Sequence, residues 1–335
     1  MTALLDVRDL QVEFRTREGV AKAVNGVSYG VEAGETLAVL GESGSGKSVT
    51  AQAVMGILDS PPGFVTGGQV LFQGEDLLTL GREARRRVRG ERMAMIFQDA
   101  LSSLNPVLSV GFQLGEMFRV HRGASRAEAK AGAIELMERV RIPAARQRVN
   151  DYPHQFSGGM RQRIMIAMAL ALGPELIIAD EPTTALDVTV QAQVMDLLAE
   201  LRAETGMGLI LITHDLGVVA DVADKIAVMY AGRIMETAPV HDLYKAPAHP
   251  YTRGLLDSIP RLDQKGQELS AIRGTPPSLL AIPPGCPFHP RCPRAQDVCR
   301  TDRPPLYEVT DDAGRPLAGR GSACHFWRDE LHDRS

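Results

Sequence analysis

No apolar run in this chain approaches the ~18 residues that a bilayer-spanning helix needs. The longest candidates are Ile164 to Leu172 and Leu209 to Ile212. The opening residues, Met1-Thr2-Ala3-Leu4-Leu5-Asp6, lack the basic-then-apolar pattern of a secretory signal, and both observations point to a cytoplasmic chain. An excess of positive charge is missing too. The net charge of −4 argues against a general nucleic-acid-binding surface, so an anionic nucleotide must be held by local donors. Cysteine is absent before Cys286; the four thiols are Cys286, Cys292, Cys299 and Cys324. In a reducing compartment such clustering favours metal over disulfides. What is present is 335 residues, 44% of them hydrophobic, enough for two domains with buried cores.

The stretch Gly41-Glu42-Ser43-Gly44-Ser45-Gly46-Lys47-Ser48 matches the pattern G-x-x-x-x-G-K-[ST] at every fixed position. Ahead of it Thr36 to Leu40 is an apolar, strand-like run, and behind it Ser48 to Leu58 has helical spacing with Val49, Ala53, Val54 and Ile57 inward. The glycines turn backbone N–H groups toward a polyphosphate, and the helix N-terminus adds partial positive charge. Lys47 is placed to reach the terminal phosphates and Ser48 to ligate Mg²⁺.

Leu5 to Phe14 and Ala21 to Tyr29 read as strands, with Phe14 either a core residue or a ring face for a base. After a short strand, Gly68 to Phe72, comes the arginine-rich Arg82 to Arg92. It reads as a solvated segment, since no aromatics are interleaved as single-strand nucleic-acid binding wants. Met93 to Phe97 is a strand ending at Gln98. Helices are expected over Ser109 to His121 and from Ser125, with the capping box Ser125/Glu128, to about Val140. Ser157 is the expected cap of the next helix, with Gly158 and Gly159 at a start where an anion meets bare N–H groups. Leu176 to Ala179 reads as a buried parallel strand delivering Asp180, suited to Mg²⁺, and Glu181, suited to orient or deprotonate a water. Asp187 caps the helix Thr189 to Thr205, and Leu209 to Thr213 ends at His214. Strands Lys225 to Tyr230 and Arg233 to Glu236 are expected to close an α/β domain with a mainly parallel sheet and an antiparallel N-terminal layer.

The order of phosphate loop, Gln98, Phe156-Ser157-Gly158-Gly159-Met160, Asp180-Glu181-Pro182, Ala185-Leu186-Asp187 and His214 resembles the nucleotide-binding subunits of ABC transporters. The runs from Gln98 to Pro106, Met165 to Leu170 and Thr183 to Gln191 narrow it to the ATPase subunits of oligopeptide and dipeptide importers. So do His249-Pro250-Tyr251-Thr252 and Pro283 to Phe288. The signature ending in Met160 places it nearer the first of the two paired subunits. The resemblance implies a P-loop ABC ATPase domain over residues 1–236, its helical subdomain over about 99–172, and a small cysteine-containing domain over 237–335.

The resemblance also implies roles. Phe14 stacks on adenine; Gly41, Ser43, Gly44, Ser45, Gly46, Lys47 and Ser48 bind the phosphates of ATP. Ser48, Gln98 and Asp180 serve Mg²⁺, Glu181 the attacking water and His214 the γ-phosphate. Ser157, Gly158 and Gly159 contact ATP held by a second homologous ATPase subunit in a heterodimer, and Asp187 links the two sites. Two transmembrane permease subunits and an extracytoplasmic substrate-binding protein are the further partners, with the chain peripheral at the cytoplasmic face of a bacterial membrane and no nucleic acid bound. A soluble ABC ATPase working on nucleic acid would carry two cassettes or a long coiled coil, and neither is in the sequence. Phe156 and Met160 stand where Leu and Gln are commoner in the signature; because Ser157 and both glycines remain, the contact is expected to survive, and whether the two sites turn over equally stays open.

The cysteine spacing C-x5-C-x6-C-x24-C is not the paired C-x2-C of zinc ribbons. Some members of the resembling family hold a 4Fe-4S cluster here, which implies Cys286, Cys292, Cys299 and Cys324 as its ligands; zinc assisted by His289 or His325, and plain buried thiols, stay open.

Overall fold

The computed structural model describes residues 3–99, 103–184, 186–259 and 272–332. The chain divides into two compact units: one takes in the chain up to Val31, Thr36–Leu78 and everything from Thr213 on, the other Glu32–Glu35 and Thr79–Ile212.

In the first unit β1 (Leu5–Thr16) buries Leu5, Val7, Leu10 and Val12 and pairs antiparallel with β2 (Gly19–Val31). Next come β3 (Thr36–Leu40), buried at every position, and α1 (Lys47–Met55). β4 (Gly63–Phe72) lies antiparallel to β1 on the side away from β2, and the two-residue β5 (Glu75–Asp76) completes this antiparallel layer.

The second unit opens with α2 (Arg82–Glu91), where the sequence suggested a merely solvated segment. Arg82, Arg86 and Arg87 are exposed, Arg85 and Arg89 are half-buried and only Val88 is buried, so helix and solvation coexist. β6 (Met93–Ile96) follows, then α3 (Val110–Arg122) capped by Ser109 and α4 (Arg126–Arg139) opened by the Ser125/Glu128 capping box. The Ser125 hydroxyl and amide hold the Glu128 carboxyl below its ordinary value, because they stabilise the ionised form. After the short α5 (Ala145–Arg148) come α6 (Gly158–Leu170), β7 (Leu176–Asp180), α7 (Val188–Thr205) and β8 (Gly208–Thr213). β6, β7 and β8 run parallel, and β7 and β8 are buried throughout, as strands covered on both faces must be.

The chain then returns to the first unit with α8 (Leu216–Val222), β9 (Lys225–Tyr230) and β10 (Arg233–Pro239). β9 is parallel to β3 and antiparallel to β10. The pair does not close the sheet. Past α9 (Val240–Lys245), α10 (Pro250–Asp257) and α11 (Asp297–Thr301), β11 (Tyr307–Thr310) and β12 (Pro316–Ser322) form a hairpin. β12 extends the sheet through Glu236↔Ser322 and Thr237↔Gly321. β12 escaped the sequence reading because Leu317-Ala318-Gly319-Arg320-Gly321 has neither alternation nor β-branched residues. The final helix, α12 (Trp327–His332), packs Trp327 with Ala248 and Val309.

Candidate ATP site and the C-terminal thiol cavity

In the first unit the loop from Gly41 to Ser48 connects the fully buried β3 to α1. Two of its glycines are forced by proximity. A Cβ on Gly41 (φ 152°) would sit 2.2 Å from the Met229 carbonyl oxygen, and one on Gly46 (φ 102°) 2.4 Å from that of Ala23. Lys47 is buried and folds back over the loop, donating from Nζ to the carbonyls of Gly41 (2.7 Å) and Glu42 (3.0 Å). The Ser45 hydroxyl is buried with no hydrogen-bond partner in the chain, a polar group that a bound phosphate would satisfy. Phe14 lies near the end of β1, half-buried and opposite Ala21 and Gly63. His214 follows β8 in the chain, exposed, and Asp215 caps α8 through Gly217 N–H (2.9 Å).

In the second unit β7 ends on Asp180, which is buried. Glu181 adopts a left-handed backbone (φ 46°), unusual for a side-chain-bearing residue, while its N–H donates to the Ile212 carbonyl (2.8 Å). Its carboxylate is held from two sides: Gln98 Nε2 donates to Oε2 at 3.0 Å and Thr184 Oγ1 to the same oxygen at 2.9 Å. The predicted Gln98 and Glu181 are thus brought together, and Thr184, which the sequence reading passed over, joins them. Ser157 caps α6 through Met160 N–H (3.3 Å), and Asp187 caps α7 through Val190 N–H (3.0 Å). Gly159 lies so close to α7 that a Cβ there would be 2.5 Å from Val190 Cγ1. The two unusual signature residues share one partner. The Arg148 guanidinium lies over the Phe156 ring (4.1 Å to its centroid) and reaches Met160 Sδ at 3.7 Å. Ala100, Leu101 and Ser102 of the stretch after Gln98, and Ala185, lie outside the described residues.

In the tail, Cys286, Cys292, Cys299 and Cys324 line one small cavity with His249, Phe288, His289, Arg294, His325 and Glu330. All four thiols are free. Burial pushes Cys286 up to about 11 and Cys324 to about 12, with the neighbouring thiols adding to the rise in both. Burial also holds His249 down to about 3, neutral at any physiological pH. Among the described residues no group of three or more His, Cys, Asp and Glu side chains could hold a single metal ion. The zinc alternative therefore finds no ligand set there. The expected 4Fe-4S cluster gains no support there either: the four thiols line one cavity, but no metal-binding group forms among the described residues.

Comparison with known proteins carries the assignment further. The sequence profile of the ABC transporter family matches residues 24–184, and that of the oligopeptide/dipeptide transporter C-terminal region matches residues 235–299. The chain is 53% identical to the oligopeptide transport ATP-binding protein OppD of Salmonella typhimurium, over 98% of this chain and 95% of that one. It is 52% identical to the dipeptide transport ATP-binding protein DppD of Bacillus subtilis, over 89% of each. Among solved structures, the ATP-binding cassette MJ0796 in a dimeric post-hydrolysis state with ADP and phosphate aligns with a TM-score of 0.63 and 26% identity, over 70% of this chain and 98% of that one. The cbiO1 structure from Clostridium perfringens aligns with the same TM-score and identity, over 73% and 92%.

The fold and the site define an ATP-hydrolysing ABC cassette. The chain belongs to the ABC transporter family, among the ATP-binding subunits that carry the oligopeptide/dipeptide transporter C-terminal region. Among the described residues no helix is long and apolar enough to cross a membrane.

Proposed function

We propose that this chain hydrolyses ATP to drive uptake of peptides or related small solutes, as a peripheral subunit at the cytoplasmic face of a bacterial membrane. The observation that carries the reading is the pairing of Gln98 with Glu181 at the end of a buried parallel strand, the arrangement a water-orienting carboxylate needs. The loop Gly41 to Ser48 holds the phosphates, with Lys47 leaving its carbonyl partners for them, and Phe14 offers its ring to the base. Ser48 and Asp180, with Gln98, hold Mg²⁺, which when bound neutralises phosphate charge. Glu181 takes the proton of the attacking water, and His214 stabilises the γ-phosphate as it leaves.

Ser157, Gly158 and Gly159 contact the nucleotide of a second, homologous ATPase subunit, with Asp187 linking the two sites. ATP sandwiched in this way favours the closed pair, and hydrolysis removes that preference. The dimeric assembly of the MJ0796 cassette supports this reading. Two permease subunits and an extracytoplasmic binding protein complete the importer and select the solute. Residues 1–236 act as the ATPase domain, with the helical subdomain at about 99–172, and 237–335 as the C-terminal domain. A 4Fe-4S cluster on Cys286, Cys292, Cys299 and Cys324, which line one cavity, would when bound staple a region with a small core of its own.

The test is Glu181→Gln in the assembled transporter. Nucleotide binding is retained while turnover falls by about 100-fold or more; turnover near that of the wild type overturns the assignment. Iron and acid-labile sulfide on anaerobically purified protein test the cluster: about four of each per chain support it, and their absence leaves plain thiols.

A further inference from the structure

We infer that Arg291 is a positioning residue for the phosphate loop, acting through Glu42, and that the C-terminal region thereby sets the affinity of the chain for nucleotide. The inference rests on the reading of Gly41 to Ser48 as the nucleotide loop. Glu42 occupies a variable position of the motif, yet each of its polar groups is tied. Its N–H donates to the Tyr251 hydroxyl (3.0 Å), and its carbonyl accepts from Lys47 Nζ (3.0 Å) and Ser45 N–H (3.2 Å). Its carboxylate is gripped by both ends of the Arg291 guanidinium, at 2.6 and 3.0 Å.

Arg291 is itself fixed. Its side chain is 5% exposed, Nε donates to the Arg273 carbonyl (3.0 Å), and the terminal nitrogens reach the Gly274 carbonyl (3.2 Å) and the Tyr230 hydroxyl (3.3 Å). The Glu42 carboxylate holds the guanidinium pKa above its ordinary value. Arg291 adjoins Cys292 on a turn closed by Arg291 N–H to the Phe288 carbonyl (3.0 Å), and Phe288 packs on Tyr230 and Tyr251 at centroid distances of 5.4 and 5.2 Å. The loop is therefore held by the close approach of Gly41 and Gly46 to the Met229 and Ala23 carbonyls and by two tail residues, Tyr251 and Arg291, on Glu42.

A bidentate, largely buried pair is a geometric constraint as well as an attraction. Freed from it, Glu42 can rotate, and its carbonyl then no longer presents the position from which Lys47 reaches out. The cost falls on nucleotide binding, because the chemistry depends on other residues.

The experiment measures the affinity of the full chain for a fluorescent ATP analogue with Mg²⁺, in wild type, Arg291→Ala, Arg291→Lys, Glu42→Ala, the Arg291→Ala/Glu42→Ala pair, and Lys47→Ala. The expected result is roughly a tenfold loss for Arg291→Ala and for Glu42→Ala. The double variant should be no weaker than either single one, and Arg291→Lys should recover part of the loss. Affinity within about twofold of wild type for Glu42→Ala, or losses that multiply in the double variant, overturn the inference. If Arg291→Ala fails to fold, Glu42→Ala, which leaves Arg291 its carbonyl partners, decides alone. Lys47→Ala separates the two levels: if it too binds normally, the nucleotide reading fails; if it alone loses affinity, only the role of Arg291 does.

Discussion

The Arg148 guanidinium stacks on the Phe156 ring, 4.1 Å from its centroid, while donating to the Gln155 carbonyl at 2.9 Å and pairing with Asp151 at 2.9 Å. It thus binds the segment leading into Ser157 at three points. Phe156 is buried, so the cation meets the ring away from bulk water, where such contacts are strongest. Truncating Arg148 to Ala should destabilise the folded chain by about 1–2 kcal/mol and lower ATPase activity several-fold by loosening the start of α6. Urea unfolding and steady-state turnover check both. An unchanged unfolding midpoint would show that the stack is incidental.

Thr184 gives a second expectation. Its hydroxyl donates to Glu181 Oε2 at 2.9 Å, sharing that oxygen with Gln98 at 3.0 Å. Thr184→Val preserves the shape and removes this donor, while the Gln98 donor stays. Turnover should fall about ten- to a hundredfold while nucleotide affinity holds, since one hydrogen bond to a charged group is worth roughly 1.5–3 kcal/mol. Equal losses in affinity and turnover would place Thr184 in binding rather than in orientation.

The readable parts of the sequence were those where local chemistry decides the structure. Ser125, Ser157 and Asp187 cap helices as their side chains suggest, and the apolar runs before Asp180 and His214 are strands buried throughout. The contacts that escaped link distant residues or use variable motif positions. Nothing in Arg148, Thr184 or Arg291 taken alone distinguishes a partnered side chain from a solvated one. Arg291 and Glu42 are joined across 249 residues of chain. Strand β12 was hidden for a different reason: it is glycine-bearing and is held by pairing with β10, which local propensity does not record.

Gly159 tests the packing of α6 on α7. A methyl added there meets Val190 Cγ1 at 2.5 Å, and a valine on a helix has little rotamer freedom with which to yield. Gly159→Ala should therefore cost about 1–3 kcal/mol of stability through overpacking. Adding Val190→Ala should return most of it, because the clash and its relief share one pair of atoms. If the second substitution restores stability but ATPase activity stays low, the bare backbone at Gly159 is needed for nucleotide contact as well as for packing.

Glu236 supplies a pH dependence. It is buried on β10, accepts from Ala248 N–H at 2.7 Å and lies 4.0 Å from Arg320. Burial raises its pKa from 4.5 to about 7, more than the hydrogen bonds and Arg320 lower it. The folded chain therefore holds this proton more tightly than the unfolded chain does. Its contribution to stability is fully present below pH 4.5 and declines as pH rises toward about 7, above which it is flat. Glu236→Gln keeps an acceptor for Ala248 and cannot ionise. The difference in unfolding free energy between variant and wild type should thus shift in favour of the variant across that interval, by about 3 kcal/mol. Urea titrations at matched ionic strength between pH 4.5 and 8 measure it. A difference that stays constant across the range would mean that Glu236 is ionised in the folded chain throughout, with Arg320 compensating its burial.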